Sequence, residues 1–421
     1  MAGALFISWV GCASFASGVS AESLVGAIRW DNWRLDSTAG DSLADGAYPN
    51  RIPYFAWRRP DGALGFPGDM RNVLEADVHY ARAAGIDYFI FGYYLDSGSW
   101  GRDANNARAL DRAYRAYLAL PDRAGVKFAL SFNYSFPPQD APLVSAVISE
   151  ASRNPDHVRA TDGSIPVFFF TPNLAVWVKG LGGEDGAKWV LDDIRRRVRE
   201  GAGNRLYTVA LVFGINAAGP MAQRLGFDAV STYANGLGGG GRAVPYGACA
   251  AGARTFWTAG KRLSIGFLPT VTLGWDYRPL LRDPKEAPRR DPNPSWCEPA
   301  SDQQWAEQIK AAVDAADSNP RNDRFRSIVL YAWNEFSEGG WIAPTVGEGT
   351  RRLEVIRRAL GRHRPAARLE LSWPRRSPDD VLTADWPCPP DQRIEADKTI
   401  AAPTVSDLPM SGDWRIRVCK E

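Results

Sequence analysis

Short apolar runs recur along the chain, separated by stretches whose apolar residues repeat every three to four positions. The runs are residues 25–30, 88–94, 127–134, 167–171, 207–213, 229–233, 263–270 and 327–333. Each is rich in β-branched and aromatic residues and bounded by turn residues. That is the pattern of a strand buried on both faces. The stretches between them favour helices. In 70–84, Val73, Leu74, Val78 and Ala81 fall on one helical face. Residues 107–120, 187–199, 302–316 and 351–360 follow the same period, and Ser301 stands where an N-cap belongs. Eight alternating units predict an α/β fold, a (β/α)8 TIM barrel with long inserted loops. An open doubly wound sheet is the alternative.

Two connections are long. Residues 31–68 include Arg51-Ile-Pro-Tyr-Phe, a candidate extra strand. Residues 274–299 are rich in Pro, Arg and Asp. Loops of such length in a compact domain are usually functional or disordered. No GxGxxG follows the first strand, and the glycine run 236–241 reads as a flexible loop. The pattern changes after residue 363. Residues 364–421 are Pro-rich and lack helical periodicity, which predicts a small extension packed on a barrel of residues 22–363.

Composition narrows the function. Lys and Arg number 50 against 48 Asp and Glu, a formal charge of +2, with no block of like charge. Nucleic acid and anionic membranes both call for a basic footprint, so neither is an expected partner. With three His in 421 residues, a His-based metal site or a Ser-His-Asp triad has little material. No metal or cofactor is expected. Residues 2–21 are uncharged and partly apolar and end in Val19-Ser20-Ala21, which suits a cleaved signal peptide and a secreted or periplasmic protein. No later segment is apolar for long enough to span a membrane. Cys249, Cys297, Cys388 and Cys419 then remain. Pairing within regions favours Cys249–Cys297 and Cys388–Cys419, with free buried thiols as the alternative.

The active site of such a barrel lies at the C-terminal ends of its strands. Those ends supply Trp30, Asp31 and Trp33; Tyr94, with Asp96 beyond; Asn133 and Tyr134; Asn216; Tyr233; Trp275, Asp276 and Arg278; and Trp333, Asn334, Glu335, Glu338 and Trp341. Aromatic rings stack on the apolar faces of sugars, while carboxylates and amides bind hydroxyls, so the mixture points to carbohydrate. Arg278 is placed either to bind an anionic glycan or to pair with Asp276. Glu335 and Glu338 are the candidate catalytic pair. In a helical turn, positions i and i+3 share a face, and two carboxylates about 5–5.5 Å apart suit a retaining glycosidase.

Trp333-Asn334-Glu335-Phe336-Ser337-Glu338-Gly339, followed by Pro344, resembles the W-N-E-W-x-E-G signature of glycoside hydrolase family 99 and its wider relatives. Val25-Gly26-Ala27, Ala84-Gly85-Ile86-Asp87-Tyr88 and Gly274-Trp275-Asp276 with Arg278-Pro279 resemble other strand ends of that family, over roughly residues 24–361. The resemblance implies a retaining, endo-type attack on an α-linked glycan through a 1,2-anhydro sugar. It makes Glu335 the base towards the sugar's own 2-hydroxyl and Glu338 the acid/base. Phe336 stands where the family has Trp, Ser337 where its endo-α-mannosidases carry His, and Arg29-Trp30-Asp31 where it has a Tyr-rich run. The mannose preference is therefore not carried over. A non-catalytic glycan-binding barrel is the competing function. A lyase would use Tyr94 or Tyr233 as its base.

Overall fold

The structure, a computed structural model, describes residues 22–35, 37, 39–44, 46–58, 63–95, 111–133, 136–234 and 239–361, with Trp57, Arg58 and Asn133 as backbone only. It also describes the backbone of Ala367–Ser372, Arg393–Ala401 and Asp413–Lys420. Residues 1–21, Asp96, Tyr134 and Cys388 lie outside the described residues, so the signal-peptide expectation and the Cys388–Cys419 pairing do too.

The chain folds as a (β/α)8 barrel. Its strands are β1 (Leu24–Arg29), β2 (Tyr88–Tyr93), β3 (Lys127–Asn133), β4 (Ile165–Phe170), β5 (Leu206–Val212), β6 (Ala229–Thr232), β7 (Gly266–Leu268), β8 (Thr270–Thr272) and β9 (Ser327–Tyr331). They form one sheet in the order β7-β6-β5-β4-β3-β2-β1-β9-β8, with every neighbouring pair parallel. The run expected as the seventh strand is broken at Pro269. Proline lacks an N–H and interrupts a ladder. The half before it pairs with β6 and the half after it with β9. The Pro269 carbonyl still accepts the Val329 N–H at 2.9 Å, so the broken strand closes the barrel.

The helices are α1 (Arg71–Ala84), α2 (Arg112–Leu118), α3 (Ala141–Ser152), α4 (Leu174–Gly180), α5 (Glu184–Ala202), α6 (Ile215–Arg224), α7 (Tyr246–Lys261), α8 (Asp302–Asp317) and α9 (Arg351–Leu360). Ser301 caps α8 in a full capping box. Its Oγ accepts from Gln304 N at 3.2 Å, and Gln304 Oε1 accepts from Ser301 N at 2.9 Å. No helix among the described residues is long and apolar enough to cross a membrane. The extra strand expected at 51–55 is absent. Pro49–Arg51 forms a 3-10 turn, and a short hairpin pairs Trp57–Arg58 with Leu64–Gly65 instead. Near the C-terminus, Ala367–Ser372, Asp413–Lys420 and Arg393–Ala401 form an antiparallel sheet with Asp413–Lys420 in the middle.

Strand alternation sorts the core into two layers. Ile28, Tyr88, Phe168, Val209, Val329 and Tyr331 fill the barrel interior. Val25, Ala27, Phe89, Leu130, Ile328 and Leu330 face the helices. Arg29 ends β1 on the helix-facing side, 2% exposed. Its Nη1 donates to Asp77 Oδ2 on α1 at 2.7 Å and its Nη2 to Asp31 Oδ1 at 2.8 Å. The guanidinium also lies 4.9 Å from the centroid of the Phe89 ring. Burial works against this charge, but Asp31 and Asp77 more than offset it.

Removing one partner of a buried pair strands the other. Asp77→Ala is therefore expected to lower the unfolding free energy by about 3–5 kcal/mol in urea denaturation. A change below about 1 kcal/mol, the range of surface pairs, would mean that the Arg29 network does not hold β1 to α1.

Candidate active site

Glu335 and Glu338 sit just beyond β9, at the C-terminal mouth of the barrel. Phe336–Glu338 is a 3-10 turn with Glu335 at its N-cap, a tighter arrangement than the expected α-helical one. In a 3-10 turn, i and i+3 eclipse each other, which keeps the two side chains on one side. Gly339 ends the turn at φ 84°, where a Cβ would come within 2.9 Å of Asp276 N. Glycine alone suits that position.

Neighbouring loops grip this turn. Ser42 Oγ lies 2.7 Å from Ser337 Oγ. Arg51, 8% exposed, donates from Nη1 to the carbonyls of Asp276 at 2.8 Å and of Phe336 and Ser337 at 3.4 Å. Its Nη2 pairs with the Asp276 carboxylate. The Glu338 carbonyl accepts from Asp276 N at 2.8 Å. One guanidinium thus ties the loops after β1 and β8 to the turn after β9.

Each glutamate has its own phenol. Tyr233 Oη donates to Glu335 Oε1 at 2.5 Å, and Tyr331 Oη donates to Glu338 Oε2 at 2.6 Å. Burial and then the two carboxylates push both phenols well above their ordinary range, so they stay protonated as donors. Arg290 Nη1 donates to Glu338 Oε1 at 3.3 Å. Glu335 is 4% exposed, and burial first, then the nearby Glu338, holds its carboxyl well above the usual carboxylate range. The hydrogen bond from Tyr233 and the charge of Arg290 only partly oppose this.

A file of rings crosses the mouth. Phe213, 41% exposed, meets Phe170 edge-on at 5.5 Å, and Phe170 stacks on Tyr233 at 4.3 Å. Tyr233 meets Tyr331 at 5.0 Å, Tyr331 meets Trp275 at 6.0 Å and Trp275 meets Tyr277 at 6.0 Å. A cleft of about 310 Å³ opens beside this file, lined by Arg51, Trp275, Asp276, Arg278, Trp296 and Trp341, and it meets the turn at Gly339. The glutamate side chains do not line it, so it flanks the carboxylate pair. No group of three or more His, Cys, Asp or Glu among the described residues is arranged to hold a metal ion.

Of the expected site residues, Tyr233, Glu335, Glu338 and Trp275 come together here. Tyr94 is buried within electrostatic reach of Tyr233. Asp276 and Arg278 sit beside the turn, paired with each other: Arg278 Nε donates to Asp276 Oδ1 at 2.8 Å. Burial pushes the Asp276 carboxyl up, but Arg278 and Arg51 outweigh it and hold it below its ordinary value. Trp341 lines the cleft, its ring 3.4 Å from Arg352 and 5.5 Å from Arg51. Trp30 is half-buried, edge-on to Trp33 at 6.4 Å.

Five expected residues are placed differently. Trp333 is wholly buried in the helix-facing layer against Phe89, because β9 ends at Tyr331 and Ala332 also faces the interior, which breaks the alternation. Trp33 is 1% exposed between Phe66 and Phe336, with Nε1 donating to Asn334 O at 2.7 Å. Asn334 braces the site: Oδ1 accepts from Trp30 N at 2.8 Å and Nδ2 donates to Asp31 Oδ1 at 2.9 Å. Asp31 is taken up by Arg29 and Asn334. Asn216 lies exposed in the first turn of α6 and makes none of the described contacts with the glutamates. Asn133 is described by backbone alone, and Tyr134 falls outside the described residues.

Tyr331, Arg51, Arg290 and Phe213 were not anticipated as site residues. Tyr331 had a signal, since Val329 and Tyr331 alternate inward and Tyr331 is the last inward side chain of its strand. The two arginines lie in long loops, where no periodicity foretells position.

No protein-family model matches the chain, and no curated protein matches it. Its fold is similar to that of a solved glycoside hydrolase-like protein, with 16% identity and a TM-score of 0.54 over 80% of this chain and 94% of that one. It is also similar to a GH99 endo-α-mannosidase from Bacteroides thetaiotaomicron, with 15% identity and a TM-score of 0.49 over 80% of this chain and 96% of that one. At these identities the likeness is one of fold. The disulfide Cys249–Cys297 is formed, as the spacing favoured.

The raised proton affinity of Glu335 has a thermodynamic consequence. A carboxyl whose folded pKa exceeds its unfolded one stabilises the fold at low pH and loses that contribution as pH rises through the folded value. Glu335→Gln is therefore expected to raise the melting temperature at pH 8, with the gain shrinking as pH falls towards 4. A gain that grows on acidification would reverse the assigned direction.

Proposed function

We propose that the protein is a retaining glycoside hydrolase acting on an α-linked polysaccharide or oligosaccharide, endo-acting and secreted or periplasmic. The observation that carries this is the glutamate pair on the turn after β9, at the barrel mouth, each member held by a phenol and flanked by aromatic rings. The glycoside hydrolase-like neighbour in fold agrees with it.

The roles follow the resemblance. Glu335 takes the proton of the sugar's 2-hydroxyl as that oxygen bonds to C1. The glycosidic C1–O bond breaks, and Glu338 gives its proton to the leaving oxygen. Water then adds to C1, losing its proton to Glu338. The C1–O2 bond opens, and O2 recovers its proton from Glu335. Two displacements at C1 leave the anomeric configuration unchanged. Burial suits Glu335 to this work, because a carboxylate with raised proton affinity is a stronger base. It must be ionised to act, so the acid limb of the rate profile should lie above the ordinary carboxylate range.

The test is digestion of a panel of α-linked glycans by wild type, Glu335→Gln and Glu338→Gln. Reducing ends are counted, and the first-formed anomer is read by proton NMR. Each substitution should cost about 100-fold or more, and the anomer should be retained. Binding without release, unaffected by either substitution, would instead make the protein a glycan-binding barrel. An inverted product would remove the anhydro-sugar route.

A further inference from the structure

Arg290, on the long connection after β8, is the one cation among the described residues that pairs with either glutamate. Its Nη1 lies 3.3 Å from Glu338 Oε1 and its Nη2 lies 3.3 Å from Glu286 Oε2. The guanidinium lies 5.4 Å from the centroid of the Tyr277 ring, and the side chain is 24% exposed. Its Nε is buried and makes none of the described hydrogen bonds. The loop that carries it is tethered close by. Cys297 is bonded to Cys249 of α7, and Cys297 N donates to Trp275 O at 2.9 Å.

This placement sets a partly exposed guanidinium, one edge of it already on a carboxylate, beside the glutamate pair. The carboxylate of an acidic substrate offers the same chemistry to that edge as Glu338 does, so one carboxylate can take the place of the other on Nη1. Guanidinium is suited to that exchange because it binds carboxylates in a fixed, forked geometry. The adjoining cleft carries charges of both signs, Arg51, Arg278 and Arg352 against Asp276, Glu298 and Glu348. There Arg51 and Arg278 share the single carboxylate of Asp276, and the Arg278 side chain remains 37% exposed.

We propose that Arg290 is the specificity residue for an acidic glycan, reading the carboxylate of a uronate next to the scissile bond. The inference rests on the hydrolase reading above and deepens it. Binding of the uronate frees Glu338 from Arg290, and cleavage is thereby coupled to recognition of the correct sugar.

The experiment uses polygalacturonate, alginate and xanthan, each beside its carboxyl-reduced form, with wild type, Arg290→Lys and Arg290→Met of unchanged melting temperature. For at least one pair, wild type should favour the acidic member about 10- to 100-fold in kcat/KM. Arg290→Met should bring the ratio close to one, and Arg290→Lys should restore part of it. Equal cleavage of both members, still dependent on Glu335 and Glu338, would overturn the inference and leave the hydrolase reading intact. If neither member is cleaved, calorimetric binding of oligogalacturonides and their reduced counterparts decides. A preference for the acidic form that Arg290→Met abolishes supports Arg290 as the residue that reads the uronate. A preference that survives Arg290→Met, or no preference at all, overturns the inference.

Discussion

A carboxylate buried beside a second carboxylate is the arrangement on which the rest of this site depends. Glu335 is 4% exposed and Glu338 lies three residues on. Neither burial nor a like charge favours the ionised form. The surroundings answer with directed donors. Tyr233 and Tyr331 each donate to one member, and Arg290 brings charge from outside the barrel. The phenols come from the ends of β6 and β9, so the barrel's closed geometry sets their distances. The arginine comes from a loop, so the strand register does not set its approach.

Holding the turn in place is a separate task. Arg51 spans three loops through backbone carbonyls and the Asp276 carboxylate. Asn334 uses its side-chain oxygen, its side-chain nitrogen and its carbonyl to lock the chain before Glu335 onto the end of β1. Behind it, Asp31 links to Arg29 and then to Asp77 on α1. A buried network of this kind is costly when incomplete and rigid when satisfied. For the proposed reaction such rigidity matters, because small displacements at a reacting centre weaken catalysis steeply.

The barrel was legible because its strands are buried on both faces and read as continuous apolar runs, and because period 3.6 separates them. The Glu pair was legible because it follows the last run immediately. What escaped the pattern has physical causes. Pro269 splits one run, since the seventh strand pairs on its two sides with different halves. Trp333 and Trp33 follow strand ends, where alternation stops and a ring goes wherever the adjoining layer has space. Trp333 therefore packs on Phe89 in the outer layer, while Tyr331, two residues earlier, reaches the carboxylates. Arg51 and Arg290 act across connections whose course is set by tertiary contacts, and composition alone does not fix which of several loop cations arrives.

The two arginines show why loop cations divide into distinct kinds of work. Arg51 is 8% exposed and binds mainly carbonyl oxygens, which carry no proton to exchange and do not move independently of the chain. Its charge is matched by Asp276, so its contacts fix geometry. Arg290 binds only carboxylates among its described hydrogen bonds and keeps a share of its surface in water. Its partner Glu338 is a side chain at the barrel mouth and not a fixed backbone dipole. An arginine on fixed dipoles is a brace. An arginine on carboxylate side chains presents an edge for which any other carboxylate that reaches it competes.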